Sequence, residues 1–292
     1  MSFKKIELIS PPPPIHWVGN GFRVHNFLPS VDGLEMERMS PFILLDYNSP
    51  HYFPPTDIPK GVGVHPHRGF ETVTIAYSGK VEHKDSTGAG GVIGQGEVQW
   101  MTASSGILHK EFHEREWSKQ GGIFQMVQLW VNLPAKDKMS PPKYQAITRD
   151  MMEVYDLDNN MGKVEIISGE YNGVKGQAST FTPIHLFNAF LNPKGIAKFT
   201  FPSSYTTFIL AIKGNAIINN ETPLKENHLA LFKYEGKEFT LSTEEESIIL
   251  ILSGEPIPEP ISARGPFVMN TYEEIIQAYE DFNSGKFGDM DF

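Results

Sequence analysis

The 292-residue sequence contains no cysteine. That removes disulfides, thiolate metal sites and a cysteine nucleophile, and it leaves the redox compartment open. Positive charge is scarce: 25 Lys and Arg against 35 Asp and Glu give a formal net charge of −10. A general nucleic-acid binder, whose affinity comes from cations meeting phosphates, is disfavoured. Long apolar runs are missing as well. The longest aliphatic stretch, residues 248–252, falls far short of the roughly 20 residues that cross a bilayer as a helix. Lys4 and Lys5 precede an apolar stretch broken by Glu7 and the prolines at 11–14, which does not read as a signal peptide. The expectation is a soluble, cytoplasmic protein with no direct nucleic-acid or membrane partner. Phosphate-cradling and nucleophile-elbow motifs are lacking too. Gly88-Ala89-Gly90-Gly91 has neither the spacing nor the following helix of a dinucleotide or P-loop site. In Ala103-Ser104-Ser105-Gly106, Thr102 stands where a nucleophile elbow needs its first glycine.

What the chain does have is punctuation and aromatic bulk. It holds 26 Gly, 22 Pro and 20 Phe, which suits many short strands joined by tight turns. Its length suits one large or two medium domains. Residues 42–45, 71–77 and 125–131 read as strands in a first half, and 208–213 and 248–252 in a second. The runs 74–79 and 208–214 both close an apolar strand on glycine, a weak sign of internal duplication. The expected boundaries are 1–133 and 147–292, with a proline-rich linker at 134–146. Near the end, Asn270 or Thr271 offers an N-cap with Glu three residues on, Ile275, Ile276, Tyr279 and Phe282 fall at helical spacing, and Gly285 supplies a stop.

Histidines are unevenly spread: eight of the 10 lie at or before position 113, and only His185 and His228 come later. Two pairs stand out, His65-Pro66-His67 and His109-Lys110-Glu111. In a strand, residues i and i+2 point to the same face, roughly 6.6 Å apart, so each pair can aim two donors into one space. If the two strands face each other across a barrel, three imidazoles and one carboxylate converge. Such nitrogen and oxygen donors suit Fe(II), Mn, Ni, Cu or Zn. Pro66 cannot donate to a ladder, so its strand must lie at an edge or be bulged there. The other reading of these histidines is unconnected packing and surface roles. His83 and His113 lie near the pairs in sequence, either supporting the ligands or at the surface.

The stretch 63–73 (GVHPHRGFETV) resembles the first metal motif of the pirin family, a bicupin branch of the cupin superfamily, and 96–103 with 106–111 resembles the second. The tail at 254–261, 265–271 and 284–288 is also pirin-like. Residues 104 and 105 are both Ser, where pirins often have Gly or Arg. The resemblance implies an all-β fold of two stacked cupin-type barrels with a short C-terminal helix. It implies one metal, usually iron, in the N-terminal barrel, held by His65, His67, His109 and Glu111, and a second barrel without metal. It further implies a dioxygenase of the quercetin 2,3-dioxygenase type, or quercetinase, acting with dioxygen on a flavonol or similar enolisable aromatic. Glu111, or Glu71 nearby, is then the candidate base. Phe53, Phe70, Trp100, Phe124 and Met126 are candidates for an apolar substrate wall, with ordinary core packing as the alternative. The resemblance equally implies a non-enzymatic function: an iron-dependent regulator that binds a protein partner, either a transcription factor or a metabolic enzyme.

Overall fold

The apolar runs form strands, and the glycines and prolines between them make turns. In the computed structural model, which describes residues 2–31 and 33–290, the chain opens with β1 (Ile6–Ser10), β2 (Ile15–Val18), β3 (Phe22–Leu28), the short helix α1 (Met36–Met39) and β4 (Phe42–Phe53). It continues through β5 (Gly61–His67), β6 (Phe70–Ser78), β7 (Val81–Asp85), β8 (Gly90–Ile93), β9 (Val98–Thr102), β10 (Ile107–His113), helix α2 (Arg115–Gln120), β11 (Gly122–Asn132) and β12 (Lys143–Ile147). There follow β13 (Glu153–Leu157), β14 (Gly162–Ser168), β15 (Glu170–Tyr171), β16 (Val174–Lys175), β17 (Ile184–Leu191), β18 (Ile196–Thr200) and β19 (Thr206–Lys213). The remainder is β20 (Ala216–Ile218), β21 (Thr222–Leu224), β22 (Leu229–Phe232), β23 (Glu238–Ser242), β24 (Ser247–Gly254), β25 (Ser262–Arg264), β26 (Phe267–Met269) and helix α3 (Tyr272–Asn283).

Two units result, and each takes a piece from the far end of the chain. One, the histidine-rich unit, is Pro14–Arg149 with Ile257–Phe292; the other, the companion unit, is Met1–Pro13 with Asp150–Pro256. The boundaries expected at 133 and 147 are therefore corrected. β1 hydrogen-bonds to β22, more than two hundred residues later. The segment 134–146 is no linker: it carries a 3₁₀ turn at Ala135–Asp137, and β12 begins at its end and pairs with β9. Within it, buried Lys138 donates from Nζ to Gly69 O at 2.7 Å, Asn132 Oδ1 at 2.6 Å and Val268 O at 2.9 Å. Its ammonium thus ties together the turn before β6, the end of β11 and β26 within the histidine-rich unit. Local composition gave no sign of these partners, because they are distant in sequence.

Both units are cupin barrels built to one strand order. The histidine-rich unit has a seven-stranded sheet β12-β9-β6-β11-β4-β3-β2 and a four-stranded sheet β5-β10-β7-β8. The companion unit has β1-β22-β19-β24-β17-β14-β13 and β18-β23-β20-β21. β6 and β19, which carry the two apolar runs ending in glycine, occupy the same third position. The companion barrel fills its interior with aromatic rings: Phe199 and Phe232 each stack on Phe239, at 5.3 and 4.6 Å between centroids. These rings belong to one continuous core with Phe187, Ile209 and Ile251. Burial of that much apolar surface is the main stabilising term of the barrel.

Helix α3 starts as expected. Thr271 Oγ1 accepts from the Glu274 N–H, and the Glu274 carboxylate accepts from the Thr271 N–H, a reciprocal cap. It ends before Gly285, whose φ of +79° favours glycine. Ile275 and Ala278 are buried against Phe267 and Phe287, while Ile276 faces outward at 43% exposure.

Candidate metal centre

The centre is built on two hydrogen-bonded neighbours, β5 and β10. β5 is an edge strand, bordered among the described strands by β10 alone, which is where a strand tolerates Pro66. Pro66 lies opposite Leu108, His65 opposite His109 and His67 opposite Ile107. The register then shifts between His109 and Glu111, so that Glu111 lies opposite Val62. Along β10 the buried positions alternate, and Ile107, His109, Glu111 and His113 point inward. The two motifs thus meet side by side in one sheet, and the expectation that their strands face each other across a barrel is corrected. Cross-strand pairing brings the rings together directly: the His65 and His109 centroids are 4.2 Å apart, His67 and His109 4.7 Å, and His65 and His67 4.8 Å.

One ring nitrogen from each of His65, His67 and His109 lies within 4.8 Å of the others, a group that could hold a metal ion. A second such group is His83, His109 and Glu111. The remaining nitrogens explain the orientation. His65 Nδ1 meets Gly63 O at 2.8 Å and His67 Nδ1 meets Pro266 O at 3.4 Å. A carbonyl only accepts, so each Nδ1 carries the proton and each Nε2 keeps its lone pair free. His109 Nε2 is fully buried and has no hydrogen-bond partner among the described residues. Burial holds all three imidazoles below their ordinary pKa, His67 and His109 well below it. They are therefore neutral at neutral pH, the form that ligates. A neutral, partly unpartnered imidazole cluster beside a carboxylate fits a divalent transition metal.

Glu111 is held from the seven-stranded sheet. Gln99 Nε2 and Thr74 Oγ1 donate to its Oε1, and Gln128 Nε2 donates to Oε2 at 2.7 Å. Thr74, Gln99 and Gln128 occupy paired positions on β6, β9 and β11, so one face of three adjacent strands is aimed at this carboxylate. Beside it the His83 ring lies parallel to Tyr144 at 5.0 Å, and Trp130 stacks on Phe70 and meets His67 edge-on. Sequence reasoning missed Thr74, Gln99, Gln128, Trp130 and Tyr144. The available signal was a polar side chain in the middle of an otherwise apolar strand, as in Val98-Gln99-Trp100.

The other expected site residues divide. Phe70 touches His67, with centroids 5.0 Å apart. Phe53, Phe124 and Met126 belong to a core cluster with Phe22, Val24, Ala76, Val81 and Ile93. His113 joins those aromatics and hydrogen-bonds Gly21 O at 2.9 Å. Glu71 and Trp100 lie on the other face of their strands. Glu71 is opposite Thr102 and Trp100 opposite Val73, out of phase with Thr74 and Gln99. Glu71 Oε1 accepts from Thr102 Oγ1 at 2.6 Å, and its Oε2 has no hydrogen-bond partner among the described residues. Burial pushes its pKa up to about 7, against the pull of Thr102, Trp100 and Lys143. The expectation that Glu71 serves as a base at the metal, or Trp100 as its pocket wall, is thereby corrected by strand alternation.

The C-terminal segment packs against the ends of β5 and β10. Arg68, next to His67, forms a buried ion pair with Asp281 of α3 at 2.8 Å, donates from Nε to Ser105 O at 2.7 Å and lies over the Phe287 ring. Gly106 has a φ of +125°, and a Cβ there would run into the Phe287 ring.

The Pirin family model matches residues 21–131, and that of the Pirin C-terminal cupin domain matches residues 186–288. The chain belongs to the pirin family. Among its pirin relatives, a Pseudomonas aeruginosa protein provisionally named quercetin 2,3-dioxygenase is 45% identical over 272 residues, covering 93% of this chain and 94% of its own. Pirin-1 of Arabidopsis thaliana is 34% identical over 275 residues, covering 92% and 90%. A crystal structure of quercetin 2,3-dioxygenase from Acinetobacter baumannii superposes with a TM-score of 0.93 at 47% identity, covering 98% of this chain and 99% of that one. No helix among the described residues is long and apolar enough to cross a membrane.

Proposed function

We propose that this pirin is a metal-dependent dioxygenase of the quercetin 2,3-dioxygenase type, acting on flavonols or a similar enolisable aromatic. In this reading His65, His67, His109 and Glu111 hold one divalent metal, with Fe(II) the first choice. The observation that carries it is the trio of imidazoles whose donors lie within 4.8 Å of one another, two of them with Nδ1 committed to a backbone carbonyl. The names of the Pseudomonas and Acinetobacter relatives supply the substrate class. When bound, the metal supplies Lewis-acid stabilisation to a deprotonated substrate hydroxyl and the redox capacity that dioxygen chemistry needs.

The chain's own residues supply position and proton handling. Glu111 is the acceptor for the substrate hydroxyl proton, since Glu71 lies on the other face of its sheet. Gln99 and Gln128 donate only through their amide nitrogens to Glu111, and so keep both carboxylate oxygens oriented. Trp130, partly buried and stacked at 4.2 Å on the fully buried Phe70 beside His67, offers the flat apolar surface that a planar aromatic needs. Protein loaded in turn with Fe(II), Mn(II), Ni(II) and Cu(II) is mixed with quercetin in air. The expected result is loss of flavonol absorbance with release of carbon monoxide for at least one metal. No loss with any of them overturns the flavonol reading.

A further inference from the structure

Two buried side chains on the strand beside the proposed ligands have no part in the reading above. His83 and Asp85 sit two residues apart on β7, both inward, with Asp85 opposite His109 and His83 opposite Glu111. Asp85 Oδ1 is taken by the Thr87 N–H at 2.9 Å and the Thr87 hydroxyl at 2.6 Å. Asp85 Oδ2 is left for His83 Nε2, 3.2 Å away. A carboxylate only accepts, so the His83 proton sits on Nε2 and its Nδ1 is a bare acceptor. The neighbour of that Nδ1 is His109 Nδ1, at 3.3 Å. For the contact to be a hydrogen bond, His109 must carry its proton on Nδ1. Its Nε2 then has a lone pair, and this is the buried nitrogen without a partner. Tyr144, lying parallel to the His83 ring at an interplanar angle of 15°, holds that ring in the plane the chain of bonds requires.

We infer that Asp85, acting through His83, is a positioning pair that fixes the tautomer of His109 and presents its Nε2 to the metal. Both His83 nitrogens are committed, so His83 is not itself a ligand, although its donor lies within 4.8 Å of those of His109 and Glu111. His83, His109 and Asp85 are 1%, 0% and 6% exposed, so the hydrogen bonds run through a medium of low dielectric, where they are strong. The Asp85 charge, passed along them, makes His109 a stronger donor than an imidazole bonded to water. The inference rests on His109 being a metal ligand and on nothing about the substrate.

The test is metal affinity by chelator competition with Co(II) and Fe(II), together with the visible spectrum of the Co(II) protein. In Asp85→Asn the amide has only one oxygen and cannot accept from both neighbours. With its oxygen toward Thr87, it turns an N–H toward His83 Nε2, which inverts both tautomers and puts a proton on His109 Nε2. The expected result is affinity about 10–100-fold weaker than wild type, with an altered Co(II) spectrum. His83→Ala should show the same loss. A surface cavity of about 570 Å³ lined in part by His83 and Asp85 gives free imidazole a way in, so imidazole should restore affinity in His83→Ala. Should Asp85→Asn lower the unfolding midpoint of the metal-free protein, the His83 variant and its rescue decide the matter. Wild-type affinity and spectrum in Asp85→Asn overturn the inference. So does His83→Ala losing metal as completely as His109→Ala, since His83 would then be a ligand. Failure of the wild-type protein to bind Co(II) or Fe(II) overturns the ligand set itself, a different outcome from either.

Discussion

Glu111 receives side-chain hydrogen bonds from Thr74, Gln99 and Gln128; Glu71, buried in the same barrel, receives one from Thr102. The difference sets what each substitution should do. His65→Ala, His67→Ala and His109→Ala should each sharply lower metal content, measured by elemental analysis. Glu111→Gln keeps the size but turns an amide toward the amides of Gln99 or Gln128, and should lower metal content less than the histidine changes do. Glu71→Gln should leave it unchanged. Glu71 should instead appear in stability. Its folded pKa of about 7 lies above the ordinary 4.5, so the folded state holds the proton more tightly than the unfolded chain. Its favourable contribution is complete below pH 4.5 and is lost as pH rises through about 7. Glu71→Gln removes that loss, and denaturant unfolding should show a gain of about 1–3 kcal/mol above pH 7 that disappears at pH 4.

At the scale of elements, the centre depends on an edge strand, a register shift and a helix from the end of the sequence. Edge position lets β5 carry Pro66 without losing a ladder bond, and the shift between His109 and Glu111 sets Glu111 one step out of phase with β5. Helix α3 anchors the strand end through Asp281 on Arg68. Lys286 first, then Arg68 and Gln277, hold the Asp281 carboxyl at about 2 against the opposing effect of burial. Because that value lies below the ordinary 3.8, the contribution is present above pH 3.8 and lost as pH falls through about 2. Asp281→Ala leaves the Arg68 guanidinium buried without its counter-ion. It should destabilise by about 3–5 kcal/mol in denaturant unfolding at neutral pH. It should also weaken metal binding, because Arg68 adjoins His67. An unchanged unfolding midpoint would show the pair to be dispensable.

For the whole molecule, the exchange of terminal segments makes a prediction that sequence order would reverse. Residues 257–292 belong to the histidine-rich unit and supply Pro266 O to His67, while residues 1–13 belong to the companion unit. Removing 257–292 should lower metal affinity although the ligands lie more than a hundred residues away. Removing 1–13 should leave metal affinity intact and expose β22 as a new apolar edge, which light scattering would detect as aggregation. The two barrels share one strand order but differ in filling. Where the histidine-rich unit pairs His65 with His109 on β5 and β10, the companion unit pairs Phe199 with Phe239 on β18 and β23.

The sequence by itself determined the chemistry available: no thiolate, a cluster of early histidines, two i, i+2 pairs, many short strands and one capped helix. These are local properties, set by composition, by alternation with period two and by capping residues within a few positions of one another. Tertiary structure decided which face of a strand a residue serves and which distant segments meet. The family resemblance singled out Glu111 as a ligand but left Glu71 open as a base beside it, and only the register of β6 against β9 puts Glu71 on the other face. His83 and Asp85 were an ordinary polar pair until β7 came to lie beside β10. Strand pairing is a long-range contact whose partner leaves no mark in the neighbouring residues, so the candidate donors were legible while their arrangement waited on the fold.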